Sequence, residues 1–311
     1  MRVVGAAVIL GGVALPVLRR RLKLRPATVL GGAALAPVCA AVVLPRSRSR
    51  DIAVCALQMY VYLAAYKMPN DDGAALEARV KFDYPVVADR ILGLGQLPTT
   101  RLQRALHTDG RFARFEKVLV WAHWVWFATP HVALAYVGWR DKKRFVRAAV
   151  MTYAVFDLGV IAYWLMPTAP PWYAAQRGRL GEPDADEVAL VRRLMVEYGE
   201  VFWQDAWDPL YSALGGNPLA AMPSLHLATS AMAALLLSEA GPLAGAVGVN
   251  YAIVLGFALV YLGEHYVVDL LGGFALCVFV RACEPLARPP LRGAAKLITT
   301  SRRLALEPGA R

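Results

Sequence analysis

Two short strings in the last third of the chain carry side chains suited to chemistry: Met222-Pro223-Ser224-Leu225-His226, and His265-Tyr266-Val267-Val268-Asp269 about one membrane crossing later. Each stands where an apolar stretch begins. His265 and Asp269 are four residues apart, so on a helix they share one face. The carboxylate can then accept a hydrogen bond from one ring nitrogen and leave the other bare to attack. A carboxylate steers a histidine in this way in hydrolytic triads, and imidazole can itself be the nucleophile. A developing alkoxide leaving group then needs a proton, and His226 is placed to supply it. Ser224 is a natural N-cap for the helix after Pro223, where free backbone N–H groups and the positive dipole end favour phosphate. Two histidines and an aspartate at helix mouths are what phosphoryl transfer through a phosphohistidine requires, without metal or cofactor.

Composition sets the medium in which those helices start. With 58% hydrophobic and 18% charged residues among 311, and a positive mean hydropathy, the chain reads as an integral membrane protein. A helix needs about 20 apolar residues to cross ~30 Å of hydrocarbon. Windows near that length are Val3 to Leu18, Thr28 to Leu44, Ile52 to Tyr66, Val118 to Gly138, Phe145 to Met166, Leu219 to Leu237, Ala244 to Leu262 and Tyr266 to Val280. Some are short, so six to eight segments are expected. The predicted fold class is all-α: a polytopic membrane helical bundle with extra N-terminal segments and outer-face amphipathic helices. Three stretches follow along the chain: N-terminal anchor segments over 1–50, a catalytic transmembrane domain over 51–283, and a basic cytoplasmic tail over 284–311.

The net charge of +11 does not indicate nucleic acid, because the basic residues flank apolar segments instead of interleaving with aromatics on one soluble face. They set orientation instead. Trp139 to Arg147 and the tail from Arg281 read as cytoplasmic, which places Tyr66 to Glu116, Pro167 to Asn217 and the turn Tyr261 to His265 outside. Both strings therefore face the outer leaflet of the cell membrane. The N-terminal third resists this scheme: Arg19 to Arg25 and Arg46 to Arg50 bracket one apolar stretch and cannot both be cytoplasmic if it spans. Its Gly31-Gly32 and Pro37 allow either a span or a re-entrant hairpin. Val3 to Leu18 lacks a convincing small-residue cleavage site and is followed by arginines, which favours an uncleaved anchor. Cys39, Cys55, Cys277 and Cys283 lie in or beside apolar segments without Cys-x-x-Cys spacing, so neither a disulfide framework nor a zinc site is expected.

Two outer loops are too long for plain connections. Pro167-Thr168-Ala169-Pro170-Pro171-Trp172-Tyr173 is rigid and cannot continue the preceding helix. Asp184 with Glu187 then offers a capping-box start before Val188, Val191, Met195, Tyr198 and Phe202 at helical spacing. That predicts an amphipathic helix, either packed on the surface or serving as a lid over the bundle mouth. The glycines of Asp89-Arg90-Ile91-Leu92-Gly93-Leu94-Gly95 do not form a nucleotide-binding run. Asp157, mid-segment, faces the bundle interior with a structural partner or a catalytic role. His123 and His131 read equally well as hydrogen-bonded structure or as functional groups.

At the two strings the chain resembles the phosphatidic acid phosphatase type 2 superfamily, specifically its second and third motifs. It is most similar to the branch containing inositol phosphorylceramide synthase. That branch has Leu in the second motif where phosphatases have Gly, as Leu225 here, and its third motif runs His-Tyr-x-x-Asp-Leu-x-Gly-Gly, as His265 to Gly273 here. The proline string at 167–173 also resembles that branch, and Pro98-Thr99 with Leu102-Gln103 does so faintly. The resemblance covers about Asp83 to Gly273. It implies a phosphohistidine on His265, Asp269 as orienting partner, His226 as general acid and base, Ser224 near the phosphate, about six core helices, and no metal. Two departures stand out. Ala258 and Leu259 occupy the places of the usual Ser-Arg before the third motif, and the first motif, Lys then six residues then Arg-Pro, has no outer-face match. Arg281 with Arg288-Pro289 has the right gap but lies after the third motif on the cytoplasmic side.

A transferring phosphoryl group needs cations around its three charged oxygens. Arg177 and Arg179, just past the proline string, and Arg90 behind them are the candidates, with lipid headgroups as their other natural contact. The expected substrates are a lipid phosphate donor and an alcohol, polyol or water acceptor, in contact with membrane lipids. Transfer to an inositol-like acceptor is favoured, with hydrolysis of a lipid or polyprenyl phosphate by the same residues as the alternative. A lipid transporter is a distant third, because it would need charges at mid-depth and Asp157 is the main one.

Overall fold

The computed structural model describes residues 2–180, 191–214 and 216–306. Among them helix dominates and no named strand forms. Three helices are long and apolar enough to cross a membrane, Pro26–Val43, Lys142–Leu165 and Pro242–Tyr261, and a bent pair, Arg114–Trp124 with Trp126–Arg140, makes a fourth if counted as one span. That is fewer than the six to eight expected from the apolar windows. Val3–Leu18 and Leu225–Ala240 are shorter apolar helices, and charged residues interrupt the others.

The chain divides into two compact units. The first holds Met1–Asp72 and Arg281–Arg311. Its helices α1 (Arg2–Leu18), α2 (Pro26–Val43) and α3 (Arg48–Lys67) pack in sequence. The stretch read as either span or hairpin is one unbroken helix, α2. Proline at its N1 position starts it, and Pro37 sits on the small-residue face Val29, Ala33, Ala36 and Ala40 that lies buried against its neighbours. Asp71 closes the first turn-out by pairing with both Arg19 and Arg20 at 2.6 and 2.7 Å. None of the four cysteines forms a disulfide.

The second unit, Gly73–Val280, contains α4 (Gly73–Glu77), α5 (Asp83–Leu92), α6 (Pro98–Leu106), α7 (Arg114–Trp124), α8 (Thr129–Arg140), α9 (Lys142–Leu165), α10 (Pro171–Gln176), α11 (Leu194–Trp203), α12 (Trp207–Leu214), α13 (Leu225–Ala240) and α14 (Pro242–Tyr261). The last helix, α15 (Val267–Leu306), begins in this unit. At its centre is α13, which packs on α8, α9 and α14.

The window Val118 to Gly138 is not one straight helix. It breaks into α7 and α8 through a 3-10 turn, Trp126–Ala128, with a 42° bend. Pro130 lacks an N–H to continue the ladder and disfavours helical backbone at the residue before it, so the break falls just upstream. The window Leu219 to Leu237 likewise starts late, at Leu225, because the chain bends at Met222 and Pro223 and Ser224, itself extended, caps the helix. The apolar window from Tyr266 does not end near Val280: α15 continues as helix through Pro285, Pro289 and Pro290 to Leu306. The anticipated helix in the Pro167 to Asn217 loop appears as α11, with Leu194, Met195 and Tyr198 buried against Leu119, Trp207, Tyr261 and Leu262. Its supposed capping start, Asp184 and Glu187, and Val188 lie outside the described residues.

Between helices, three extended pieces are stitched side by side. Lys81 N–H donates to Pro167 O, Thr168 N–H to Leu219 O, and Ala221 N–H to Thr168 O. The proline string is thereby tied to the approach to Ser224. A second tie is the buried amide of Gln103, whose Nε2 donates to Arg192 O and Tyr261 O at 2.9 and 2.8 Å while its Oε1 accepts from Arg192 N–H at 2.9 Å.

Candidate active site

The two strings meet because two helix starts converge. Ser224 caps α13, its hydroxyl accepting from Leu227 N–H at 3.3 Å, and its own N–H donates to the Asp269 carbonyl at 2.9 Å. Gly273 allows this approach, since a Cβ there would stand 2.3 Å from the Ser224 carbonyl oxygen. His265 is set at its angle by the turn before α15. Gly263 takes a φ of +81° with the Arg192 carbonyl against its Cα, where any side chain would be strained and crowded. The Glu264 and His265 N–H groups then both donate to Leu259 O at 3.0 Å.

The result is a line of three groups. Asp269 Oδ2 accepts from Tyr266 N–H at 2.9 Å and lies 3.4 Å from His265 Nδ1. His265 Nε2 faces His226 Nδ1 at 3.0 Å. Asp269 is fully buried and His265 only 3% exposed. The carboxylate favours the proton on Nδ1 of His265, which leaves the Nε2 lone pair on the side of His226.

Around the line stand His123, which the sequence leaves open between a structural and a functional role, and residues that sequence spacing passes over. The ring of His123, from α7, stacks on His226 with centroids 5.0 Å apart and planes 25° apart, and Trp126 lies 4.0 Å from the same ring. Arg193 donates to both oxygens of buried Glu264, at 2.8 and 3.1 Å, and to the Tyr211 hydroxyl. Its guanidinium lies 4.0 Å over the ring of Trp172 from the proline string. Burial alone pushes the Glu264 carboxyl up, but the Arg193 charge and hydrogen bonds, with His123 and His265 adding, hold it net below its ordinary value. A carboxylate next to His265 inside an apolar turn was the available clue that a buried cation must lie beside it.

Asp89 is the other such residue. Fully buried, it accepts from Val267 and Val268 N–H at 2.9 Å each, so one carboxylate from α5 caps the helix that carries Asp269. Burial, against the two hydrogen bonds and with the Asp269 charge adding, pushes its carboxyl from 3.8 up to about 6. Because the folded value is raised, folding is favoured by acid as pH falls through about 6, and this group causes no unfolding there. Geometry suffers instead, since the protonated oxygen becomes an O–H donor and a weaker acceptor for the N–H it faces. Turnover is therefore expected to fall as pH drops through about 6 while thermal stability holds. Asp89→Asn should lower turnover several-fold and remove that limb from the pH–rate profile; a limb that persists in the variant sinks this role.

The other proposed cations are engaged elsewhere. Arg177 pairs with Glu77 and donates to the Tyr173 hydroxyl. Arg179 lies 3.7 Å from Asp83 and over the Phe82 ring, and Arg90 donates to the carbonyls of Gly95 and Leu180. Arg281 and Arg288 both bind Glu284 along α15. His131 donates from Nδ1 to Phe127 O at 2.8 Å, within its own helical turn. Among the described residues no group of three or more His, Cys, Asp or Glu is arranged to hold a metal ion.

The sequence profile of the PAP2 superfamily matches residues 89–282, from the Asp89 cap through both histidine strings. The chain belongs to the PAP2 superfamily. This PAP2 protein is 29% identical over 139 residues to the phosphoinositol dihydroceramide synthase of Bacteroides thetaiotaomicron, covering 44% of each chain. It is 30% identical over 124 residues to the inositol phosphorylceramide synthase catalytic subunit aur1 of Schizosaccharomyces pombe, covering 39% of this chain and 28% of that protein. The match thus spans less than half the length of either relative. No solved structure matches.

Proposed function

We propose that this protein moves a phosphate-containing headgroup, an inositol phosphate by the names of its relatives, from a donor lipid to an alcohol acceptor. The reaction takes place at the outer leaflet of the cell membrane, within a bundle of about six core transmembrane helices. One observation carries this reading: His265 Nε2 and His226 Nδ1 face each other at 3.0 Å, with Asp269 behind His265.

In the first step Nε2 of His265 attacks phosphorus, the bond to the lipid oxygen breaks, and His226 gives that oxygen its proton. In the second, the acceptor oxygen attacks the phosphohistidine, its proton passes to His226, and the electron pair of the N–P bond returns to His265. The phosphorus enters between the two rings, so His226 comes to face a leaving or entering oxygen. Asp269 fixes the tautomer of His265 and stabilises its positive charge. The start of α13, capped by Ser224, turns its positive dipole end towards the same place, whereas the Val267 and Val268 N–H groups at the start of α15 are taken by Asp89. The cation is Arg193: Glu264 and Tyr211 use three of its five N–H donors, which leaves two for phosphate oxygens.

Reconstitution with radiolabelled phosphatidylinositol and a short-chain ceramide tests the reading. A new labelled lipid supports transfer. Release of soluble labelled headgroup alone, in the presence of acceptor, makes the protein a hydrolase instead. Unchanged donor under all acceptors sinks both.

A further inference from the structure

The third histidine is not needed for the two-step chemistry above, yet it is built into the site. Both ring nitrogens of His123 are buried and neither has a hydrogen-bond partner in the protein. A buried polar group left unpaired costs about 1–3 kcal/mol, and such groups are few in folded proteins. An imidazole with two unpaired nitrogens therefore has both its donor and its acceptor to offer a ligand when it lies at a site rather than in a sealed core. His123 is at the site: it stacks on the ring of His226 and lies within electrostatic reach of Glu264, His265 and Arg193.

The type of ligand follows from what a neutral imidazole offers. It has one N–H donor and one bare acceptor nitrogen. A phosphate oxygen only accepts, and it would use one nitrogen and face the lone pair of the other. A hydroxyl both donates and accepts. Trp126, 4.0 Å from the His226 ring and anchored by Nε1–H donating to Thr229 Oγ1 at 2.9 Å, supplies a rigid aromatic wall beside it, which suits the carbon skeleton of an alcohol more than water.

We propose that His123, with Trp126 as its wall, forms the subsite for the acceptor alcohol and thereby decides whether the phosphohistidine is resolved by an alcohol or by water. The assignment rests on the function proposed above. The acceptor hydroxyl donates to the general base, His226, and its neighbouring polar group, a second hydroxyl or an amide, pairs with His123. Water satisfies the base but cannot bridge to the second ring while lining up with phosphorus, so it is the poorer nucleophile at this site.

The test uses full-length protein carrying His123→Phe, which keeps the aromatic stack and removes both nitrogens, and His123→Gln, which restores one donor and one acceptor. With radiolabelled phosphatidylinositol and short-chain ceramide, the ratio of transferred to hydrolysed headgroup should fall about tenfold in His123→Phe, the effect of one hydrogen bond. It should recover at least in part in His123→Gln. A ratio equal to wild type in His123→Phe overturns the subsite, whatever happens to total turnover. Acceptor binding gives a readout independent of the chemistry: in a His265→Ala background, His123→Phe should weaken short-chain ceramide binding about tenfold, and unchanged affinity overturns the subsite. Failure of the phosphohistidine mechanism would show elsewhere, as a wild-type protein that turns over without acid-labile phosphate.

Discussion

His265→Ala should abolish the acid-labile phosphate that the wild-type protein acquires from a lipid donor, and lower turnover by a factor on the order of a thousand or more. The size follows from its place in the line: its Nε2 is the nitrogen turned to attack, since the carboxylate of Asp269 lies 3.4 Å behind Nδ1. Asp269→Asn should cost about as much by a different route. Asparagine keeps an oxygen for the Tyr266 N–H but removes the charge that selects the tautomer, so phosphoenzyme forms slowly while the fold holds. His226→Ala separates the steps again: the phosphoenzyme, once formed from a donor with a good leaving group, should persist because nothing takes the acceptor's proton. Full turnover in His265→Ala would end the mechanism, and a rapidly resolving phosphoenzyme in His226→Ala would remove His226 from its role.

The second large effect is expected at Arg193, where catalysis and stability can be separated. Removing it strands Glu264, only 9% exposed, as a buried unpaired charge, a change that costs about 3–5 kcal/mol. Arg193→Met should therefore lose both fold stability and activity, which alone proves little. The double variant Arg193→Met with Glu264→Gln leaves no charge uncompensated and should return most of the lost thermal stability. Activity should stay down by a factor on the order of a hundred or more, because no guanidinium then meets the phosphate. Should the double variant regain wild-type turnover with its stability, Arg193 is structural and phosphate is neutralised elsewhere.

The grouping of His226, His265 and Asp269 was legible in the sequence. His226, His265 and Asp269 revealed themselves because their partners are near in sequence or sit at a recognisable helix start, and i to i+4 spacing dictates that His265 and Asp269 share a face. The helix after Ser224 began where a serine following proline predicts. The surrounding groups were hidden by sequence distance. Arg193 finds Glu264 71 residues away, and Asp89 reaches Val267 across 178; no periodicity encodes such pairings. Arg177, Arg179 and Arg90 were chosen for closeness to the proline string, and the string did lead to a cation. Trp172 carries it on its ring face, but it is Arg193. Span counting suffered for a related reason. Hydropathy registers apolar length, whereas Pro130 and Pro223 set where a helix can run, and charges around α3 and α15 exclude them from a test of composition.

The amide of Gln103 has a consequence for how the protein is made. It bonds to Arg192 and to the carbonyl of Tyr261, 158 residues from Gln103 itself, while Arg193 waits 71 residues for its carboxylate on Glu264. Both debts fall due in one turn, Tyr261 to His265, which also carries the proposed nucleophile. During synthesis, then, the arginine stays uncompensated and the glutamine amide incompletely bonded until His265 itself emerges. A chain halted before that turn carries a half-satisfied polar cluster in an apolar setting, the kind of defect that membrane quality control can recognise, and a chain that passes it acquires charge balance and reactivity together.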